Sequence, residues 1–539
     1  MANLTKKEVD TLVERQGQLA SDRSTFESHW QAAANLVRPD ITFTGTKTPG
    51  QQNNQRIYDT TAINAGNDLA AAADFNLTNT STRWFEAMPG DPGYDWENDE
   101  EARAWGWEAT DRALRYFASP ESGYAVANHE FYKDYFDFGT GVTVSMVVDG
   151  LLRFQARSLV SIYVNQSDDG RIVGVNRTTK MSINEIAERF GVASLPPELH
   201  RTWKSGSGHE KVGVLHCVWK RDKTDPMKIG RTNKPWASAY LLSEHSHCLD
   251  YGGFDENPYT VARLNKLPEE PYGRGMAMLA LPSIRAINSL ARDTLMATEL
   301  SVAPPIMAHA GSIDGKLITT PRSIIWLKQG TREMPQPFQS GANVAVGEAE
   351  IERHAKRIEA LYMTDRFRLP ENDRMTAAEI HARQEYNLMA TSPVTARLAA
   401  EKLDVDITRV FGWMHRTGRL PAWTGRRPFS TLKISYTSPF FAARQSSEAN
   451  AWQAVLTDLG PVASVDPKVL DNFDMDKVSR AVARWRHLDP RVMRDSAEVE
   501  GMRTQQAQTQ NAANIAGILG PGAAAAKDLA SARQISAGL

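Results

Sequence analysis

The sequence has few cysteines, no long apolar run and no excess of charge of either sign. Its two cysteines, Cys217 and Cys248, cannot form a disulfide framework, which suits assembly in a reducing cytoplasm. The mean hydropathy is -0.43 and charged residues interrupt the apolar stretches, which excludes a membrane span of about 18 residues. Lys plus Arg number 62 against 64 for Asp plus Glu, so the basic excess typical of a tight nucleic-acid binder is missing.

The rest of the composition is that of a large globular chain. Hydrophobic residues make up 41% of the 539, enough for a substantial core and several domains. Helical periodicity and end signals predict helices at 5–37, 58–79, 100–118, 124–137 and 182–190. Partly alternating β-branched runs predict strands at 142–148, 154–164, 171–177, 211–220 and 236–243. Phe75 is a possible packing position of the second helix. These helix and strand patterns therefore predict one α+β domain over residues 1–270.

The longest helical pattern follows this domain. A Gly273-Arg274-Gly275 turn opens it and Pro304-Pro305 closes it, because neither proline can donate to the helix ladder. One stripe of this helix carries Ile284, Ile287, Ala291 and Leu295 at helical spacing. A second helix, from about 346, carries Ile351, Ala355, Ile358 and Tyr362. A helix pair with more than one apolar face cannot bury all of its apolar surface within one subunit, so we expect the pair to pack laterally against copies of itself.

The region between and after these helices is less regular. Turn and strand signals at 314–327 predict a compact β insert within 304–345. A charged break at 368–374 precedes a third helix, which begins with a capping box at Thr376–Glu379 and continues to about 418. A strand at 430–437 and helices at 446–459 and 474–485 follow. The composition of 501–539 indicates either a low-complexity helix or disorder.

Motifs for catalysis or cofactor binding are weak. Gly45–Thr48 and Gly311–Lys316 lack the spacing of a phosphate-binding loop, so we predict no nucleotide and no other cofactor. Glu244–Cys248, with His216 and Cys217, has metal-binding residue types but no paired ligand spacing. We predict no metal ligand and no catalytic residue, and keep a hydrolase or metal enzyme using 244–248 as an alternative. Four tryptophans could stack on nucleic-acid bases, but we predict that they are packing residues: Trp84, Trp96, Trp105 and Trp107.

Together with the long helix, Arg56–Asp59, Arg83–Phe85 and Met375–Ile380 closely resemble the portal (head-to-tail connector) proteins of short-tailed bacteriophages. The resembling segments are spread over roughly residues 20–440. The resemblance implies an α+β portal fold assembled as a ring, and we expect a dodecamer. The implied domains are a wing (1–270, with 376–440), a stem (271–303 and 346–367), a clip (304–345), a tunnel loop (368–375), a crown (441–500) and a C-terminal tail (501–539).

The resemblance also implies a role and a set of partners. The tunnel loop projects into the central channel in such proteins, which would place there Arg366, Arg368, Glu371, Asn372, Asp373 and Arg374. Double-stranded DNA would pass through the channel. The implied partners are the terminase large subunit, tail adaptor and tail tube proteins, and major capsid and scaffolding proteins. The protein would be a non-enzymatic virion component assembled in the host cytoplasm, without membrane contact. Another ring- or shell-forming phage protein without a DNA channel is the second alternative.

Overall fold

The computed structural model describes residues 4–307, 343–364, 393–437, 452–485 and 492–511, apart from short gaps within these ranges, and a few isolated positions between them. The chain divides into two compact units. Unit 1 comprises 1–84, 113–420 and 438–443, and unit 2 comprises 85–112, 421–437 and 444–539. The α+β fold class is confirmed, because helices and antiparallel sheets occupy separate stretches of the chain.

Unit 1 begins with a long helix, α1 (Lys6–Val37), as predicted. Thr5 and Glu8 form the capping box, with the Thr5 backbone N–H donating to the Glu8 carboxylate at 2.7 Å. Trp30 is fully buried on this helix and its Nε1 donates to the Phe138 carbonyl at 3.1 Å. The first helix is thereby anchored to the end of α4 (Tyr124–Phe138), a helix rich in buried aromatic side chains.

Helix α2 (Thr61–Leu77) packs on the same core but not through every predicted position. Its buried side includes Ala65, Leu69 and Leu77. Phe75 is 63% exposed, which corrects its predicted packing role. Six residues separate Phe75 from Leu69, a rotation that places it away from the buried stripe at 3.6 residues per turn.

Two antiparallel sheets follow in unit 1. Their strands are β2 (Thr140–Val148), β3 (Leu151–Ala156), β4 (Ile162–Gln166), β5 (Ile172–Ser182), β6 (Lys211–Lys220), β7 (Trp236–Leu242), β8 (His247–Phe254) and β9 (Tyr259–Arg263). The three-stranded sheet has the order β3-β2-β9, and the five-stranded sheet runs from β4 to β8 in sequence order. The short helices α5 (Ile183–Phe190) and α6 (Pro197–Lys204) lie between β5 and β6.

The strand predicted over 154–164 is wrong as a single element. Residues of this stretch belong to β3 and β4, which lie in different sheets. A 3-10 turn at Leu159–Ser161 separates them, and the Ser158 side chain caps it by accepting from the Val160 N–H. The local serine hydrogen bond thus interrupts a run of β-branched residues that would otherwise continue as one strand.

The two long helices of unit 1 are α7 (Met276–Val302) and α8 (Val344–Leu361). Between them, β10 (Ile306–Met307) pairs with β11 (Gln336–Pro337). These two short strands were not predicted. The strands predicted within 314–327, and the start of the third helix, lie outside the described residues. The third helix is described from 393 onward. It passes through a π-helical turn at Ala399–Leu403 into α9 (Asp404–Arg416).

Unit 2 contains a two-stranded sheet and several helical segments. Strand β1 (Phe85–Pro89) pairs with β12 (Leu432–Tyr436), the strand predicted at 430–437. Helix α3 (Glu100–Ala118) contributes residues to both units and meets β1 through Thr110, whose Oγ1 accepts from the Ala87 N–H at 2.9 Å. Residues 452–461 and 498–511 are helical, as is α10 (Met475–Trp485).

The tryptophans are packing residues, as predicted. Trp84, Trp96 and Trp105 are buried, and Trp107 is partly buried. Within unit 2, the Trp105 ring lies 5.6 Å from the Trp423 ring, edge to face. No helix among the described residues is long and apolar enough to cross a membrane.

Candidate functional site

Helix α7 changes its surroundings along its length. Its buried residues are Met276, Ala277, Met278, Ala280, Leu281, Ile284 and Ile287. Beyond Ile287, no residue of this fully described helix is buried. Because an α-helix rises about 1.5 Å per residue, the segment from Ile287 to Val302 extends about 22 Å past the last buried position. The distal half of α7 is therefore available for contacts outside its own core.

Helix α8 accompanies α7 along this segment. A Cβ added at Gly347 would lie 2.5 Å from the Thr294 Oγ1, so the two helices approach closely at a position where α8 has no side chain. Ile351 and Ala355 are half-buried against the core, and Ile358 is fully buried. The helix pair thus packs into the core of unit 1 at one end, through the N-terminal half of α7 and the C-terminal part of α8.

The predicted stem-packing residues occupy three environments. Ile284, Ile287, Ile358 and Tyr362 are buried in one cluster, and Ala291, Ile351 and Ala355 are half-buried. Leu295 is 50% exposed. Met296, Val302 and Val346 are exposed near it along the two helices. A group of exposed large apolar side chains on one projecting element is typical of a surface that contacts another protein.

The start of α7 is fixed by close backbone packing. Gly273 donates its N–H to the Thr140 Oγ1 at 3.0 Å, and Arg274 donates its N–H to the Leu264 carbonyl at 2.7 Å. A Cβ at Gly275 would overlap the Asp137 carbonyl. The two glycines therefore let α7 begin directly against the junction of α4 and β2, which gives this motif a packing role.

A buried polar cluster lies at the C-terminal end of α8. Asp137 and Asp134 each lie 3.5 Å from the Arg38 guanidinium, and the Tyr362 hydroxyl donates to Asp137 at 3.4 Å. Burial raises the pKa of Asp137 to about 7 and that of Asp134 to about 6, although the Arg38 charge opposes both shifts. Burial also raises the pKa of Tyr362 well above its ordinary value. Sequence patterns do not reveal this cluster, since its members come from α4 and from the residues that directly follow α1 and α8.

The predicted tunnel loop lies outside the described residues. This applies to all six positions predicted to face the channel, in the loop or beside it, which are Arg366, Arg368, Glu371, Asn372, Asp373 and Arg374. Their place in a channel stays a prediction.

The residues of the metal alternative contact separate partners. His245 lies 3.2 Å from Glu198, and the His247 Nε2 lies 2.7 Å from the Ser194 carbonyl. Cys248 is a buried free cysteine. Among the described residues, no group of three His, Cys, Asp or Glu side chains is placed to hold a metal ion.

His216 is held in a fully buried site of its own. Its Nδ1 lies 2.7 Å from the Tyr259 hydroxyl and its Nε2 lies 3.0 Å from the Ser238 hydroxyl. Its ring stacks on Tyr240 at 4.0 Å between centroids. Burial lowers the pKa of His216 to about 3, which keeps the imidazole neutral and suits a packing residue.

Comparison with known proteins decides the family. The family model for bacteriophage head to tail connecting protein matches residues 9–493. The chain belongs to this family. It is 24% identical to the "Probable portal protein" of Bordetella phage BPP-1, over 98% of this chain and 96% of that protein. It is also 24% identical to the "Portal protein" of Salmonella phage epsilon15, over the same shares. The resemblance to the portal, or head-to-tail connector, proteins of bacteriophages is therefore confirmed.

A solved structure is also similar in part. A chain of the "Virion of native gene transfer agent (GTA) particle" aligns with 72% of this connector protein and 89% of its own length. The sequence identity is 11% and the TM-score is 0.32.

Proposed function

We propose that this connector protein is a portal, a ring at one capsid vertex through which double-stranded DNA enters during packaging and leaves during ejection. Family membership supports a place between head and tail. The observation that carries the proposal is the projecting pair α7 and α8, with Leu295, Met296 and Val302 exposed on its distal half. Burial of such apolar surface against neighbouring copies would stabilise the assembly by about 25 cal/mol per Å².

A closed ring follows if each copy uses two different surfaces of the helix pair. A head-to-tail contact of this kind repeats from copy to copy and closes when the rotation fits a whole number of subunits. We expect a dodecamer, as the resemblance implies. In this arrangement, 271–303 and 346–367 form the stem and line the narrow part of the ring.

The channel is proposed to present the tunnel loop, 368–375, with Arg366 beside it. The chain as a whole carries a net charge of -2, so it has no general attraction for DNA. A few arginines among acids would make brief phosphate contacts that salt screens over about 10 Å. Such a channel can guide DNA without holding it.

The remaining segments are proposed as docking surfaces. The clip, 304–345, would bind the terminase large subunit and later the tail adaptor and tail tube proteins. The wing, 1–270 with 376–440, would contact major capsid and scaffolding proteins, so that the ring nucleates head assembly in the host cytoplasm. The crown would comprise 441–500, and the tail 501–539. These roles are mechanical and involve no catalysis.

Negative-stain imaging of the purified full chain tests this proposal. We expect closed rings with a central hole in salt near physiological strength. Closed assemblies without a hole would favour the phage structural protein without a channel. A monomer at all concentrations would contradict the ring, and stoichiometric zinc by elemental analysis of that monomer would favour a metal enzyme using 244–248.

A further inference from the structure

A cleft lies beside α7 on the side away from α8. It has a volume of about 820 Å³ and is bounded by α1, the segment 51–58 and the middle of α7. Arg292 lines it, whereas Thr294, two residues later, faces Gly347 of α8. Two residues correspond to about 200° around a helix, so the cleft and α8 lie on opposite sides of α7.

The cleft is rich in positive charge and amides. Arg56, Arg285 and Arg292 line it, and no Asp or Glu is among its described lining residues. Arg292 pairs with its neighbour Asp293 at 2.8 Å, and both side chains are about half exposed. Within the described part of the chain, no carboxylate lies within ion-pair distance of Arg56 or Arg285. The cleft therefore suits a ligand with carboxylates or other anionic groups.

Asn288 holds the cleft in shape. Its Oδ1 accepts from the Tyr58 N–H at 2.7 Å, and its Nδ2 donates to the Arg56 carbonyl at 3.0 Å. One side chain of α7 thereby fixes the segment that carries Arg56. The backbone that carries Arg56 is thus held against α7 before any ligand arrives, which lowers the entropic cost of ordering this wall on binding.

Helix α8 carries a complementary surface. Glu348, Glu352 and Glu359 are exposed and spaced by four and seven residues, which places them on one face. Glu352 pairs with Lys356 at 2.7 Å on the same helix. Like charges four residues apart, as in Glu348 and Glu352, destabilise an isolated helix slightly. A positively charged partner would relieve this repulsion.

We propose that, in the portal ring, the arginine cleft of one copy receives the glutamate face of α8 of the neighbouring copy. The proposal rests on the proposed function, because it describes the lateral contact of that ring. The spacings match: Arg285 to Arg292 and Glu352 to Glu359 are each seven residues, a rise of about 10.5 Å along a helix. The cleft lies on the side of α7 away from α8, and Glu352, five residues or about 140° after Gly347, lies on a side of α8 that does not face α7. The two surfaces are therefore different, as a closed head-to-tail ring requires. Charge sets the register of the contact, and the nearby exposed Leu295 and Met296 supply apolar burial.

Charge reversal in the full-length protein tests the contact. The first variant combines Arg285→Glu with Arg292→Glu, and the second combines Glu352→Arg with Glu359→Arg. For each variant alone, we expect the protein concentration at which half of the chains are in rings to rise at least about tenfold, because like charges then face each other. Mixed in equal amounts, the two should form rings of alternating copies. A chain with all four changes should form rings by itself.

The matched control reverses charges elsewhere on unit 1. Glu188→Arg with Arg201→Glu changes exposed residues of α5 and α6 and should leave assembly unchanged. Circular dichroism and thermal melting of each variant check that the fold is retained. If a reversed variant does not fold, the neutral pair Arg285→Gln and Arg292→Gln replaces it, with weaker assembly expected and a smaller loss of rings on adding salt.

The outcomes separate this contact from the ring itself. Rings formed by each reversed variant alone, at the wild-type concentration, would overturn the contact but not the portal function. Loss of rings that neither mixing nor the four-fold variant restores would also overturn it. In that case, a gel shift with duplex DNA that the arginine variant abolishes would assign the cleft to phosphate binding. A wild-type chain that forms no ring would reject the proposed function.

Discussion

At the scale of single residues, Asp137 connects the C-terminal end of α8 to the core. Its carboxylate lies between the Arg38 guanidinium and the Tyr362 hydroxyl. A Cβ at Gly66 of α2 would lie 2.8 Å from its Oδ1, so the site has no room for a larger neighbour there. Because the polar atoms of a buried group must be satisfied locally, this one side chain links α4 to the residues that follow α1 and α8, with α2 packed against it.

We predict that Asp137→Asn makes stability less dependent on pH. The pKa of Asp137 is raised to about 7 by burial, so between about pH 4 and pH 7 the folded state holds its proton more tightly than the unfolded chain. The unfolding free energy of the wild type therefore falls as pH rises through this window. The asparagine has no such proton. The unfolding free energy of the variant minus that of the wild type should therefore grow by up to about 1.4 kcal/mol for each pH unit that the pH rises within this window.

Denaturant unfolding at several pH values between 4 and 8 measures this difference. Asp40→Asn is the matched control, since Asp40 is an exposed carboxylate 3.6 Å from the same arginine. A difference between Asp137→Asn and wild type that is constant across the window would show that Asp137 is charged in the fold at all these pH values.

At the scale of elements, α7 serves two purposes in succession. Its first turns belong to the core of unit 1, and its last turns carry apolar side chains into solvent. The same stripe contains Ile287, which is 1% exposed, and Leu295, which is 50% exposed. Two residues of equal chemistry on one face should therefore respond differently to the same substitution.

We predict that Ile287→Asp destabilises the fold and Leu295→Asp only the assembly. The first buries an unpaired carboxylate and should cost several kcal/mol of unfolding free energy. The second leaves its carboxylate in water and should change the unfolding of the isolated chain by less than about 0.5 kcal/mol. Thermal melting and sedimentation of the two variants check both statements. Normal rings from Leu295→Asp would remove the distal half of α7 from the subunit contact.

The sequence predicted elements best where their ends have local causes. The capping boxes at Thr5 and Ser182 and the prolines after α7 placed α1, α5 and α7 close to their observed bounds. Strands β8 and β9 were missed, since short strands depend on partners distant in the chain. Periodicity likewise identified the apolar stripe of α7 but not where it leaves the core. Which atoms cover a stripe depends on the tertiary fold, as does the cluster around Asp137.

At the scale of the whole molecule, charge balance conceals local separation. A net charge of -2 over 539 residues describes a nearly neutral protein, yet arginines are concentrated in the cleft beside α7 and glutamates on one face of α8. Separated patches on a neutral chain favour specific contacts between copies without general binding to nucleic acid. The same balance bears on the channel, where attraction to DNA must be small.

We predict that replacing Arg366, Arg368 and Arg374 together by Ala leaves the ring intact and alters the packaging or retention of DNA. These arginines lie in or directly beside the predicted tunnel loop, which also carries Glu371 and Asp373, so each phosphate contact is weak and screened by salt. Repetition around a ring multiplies such contacts, and a tight grip at every copy would stall the moving duplex. Genome content of particles assembled with the variant, measured over a range of salt, tests this. The control is Arg112→Ala, an exposed arginine of α3 with Glu108 as its ion-pair partner. Particles that fill and retain DNA as the wild type does would assign the three arginines to an ordinary solvated loop.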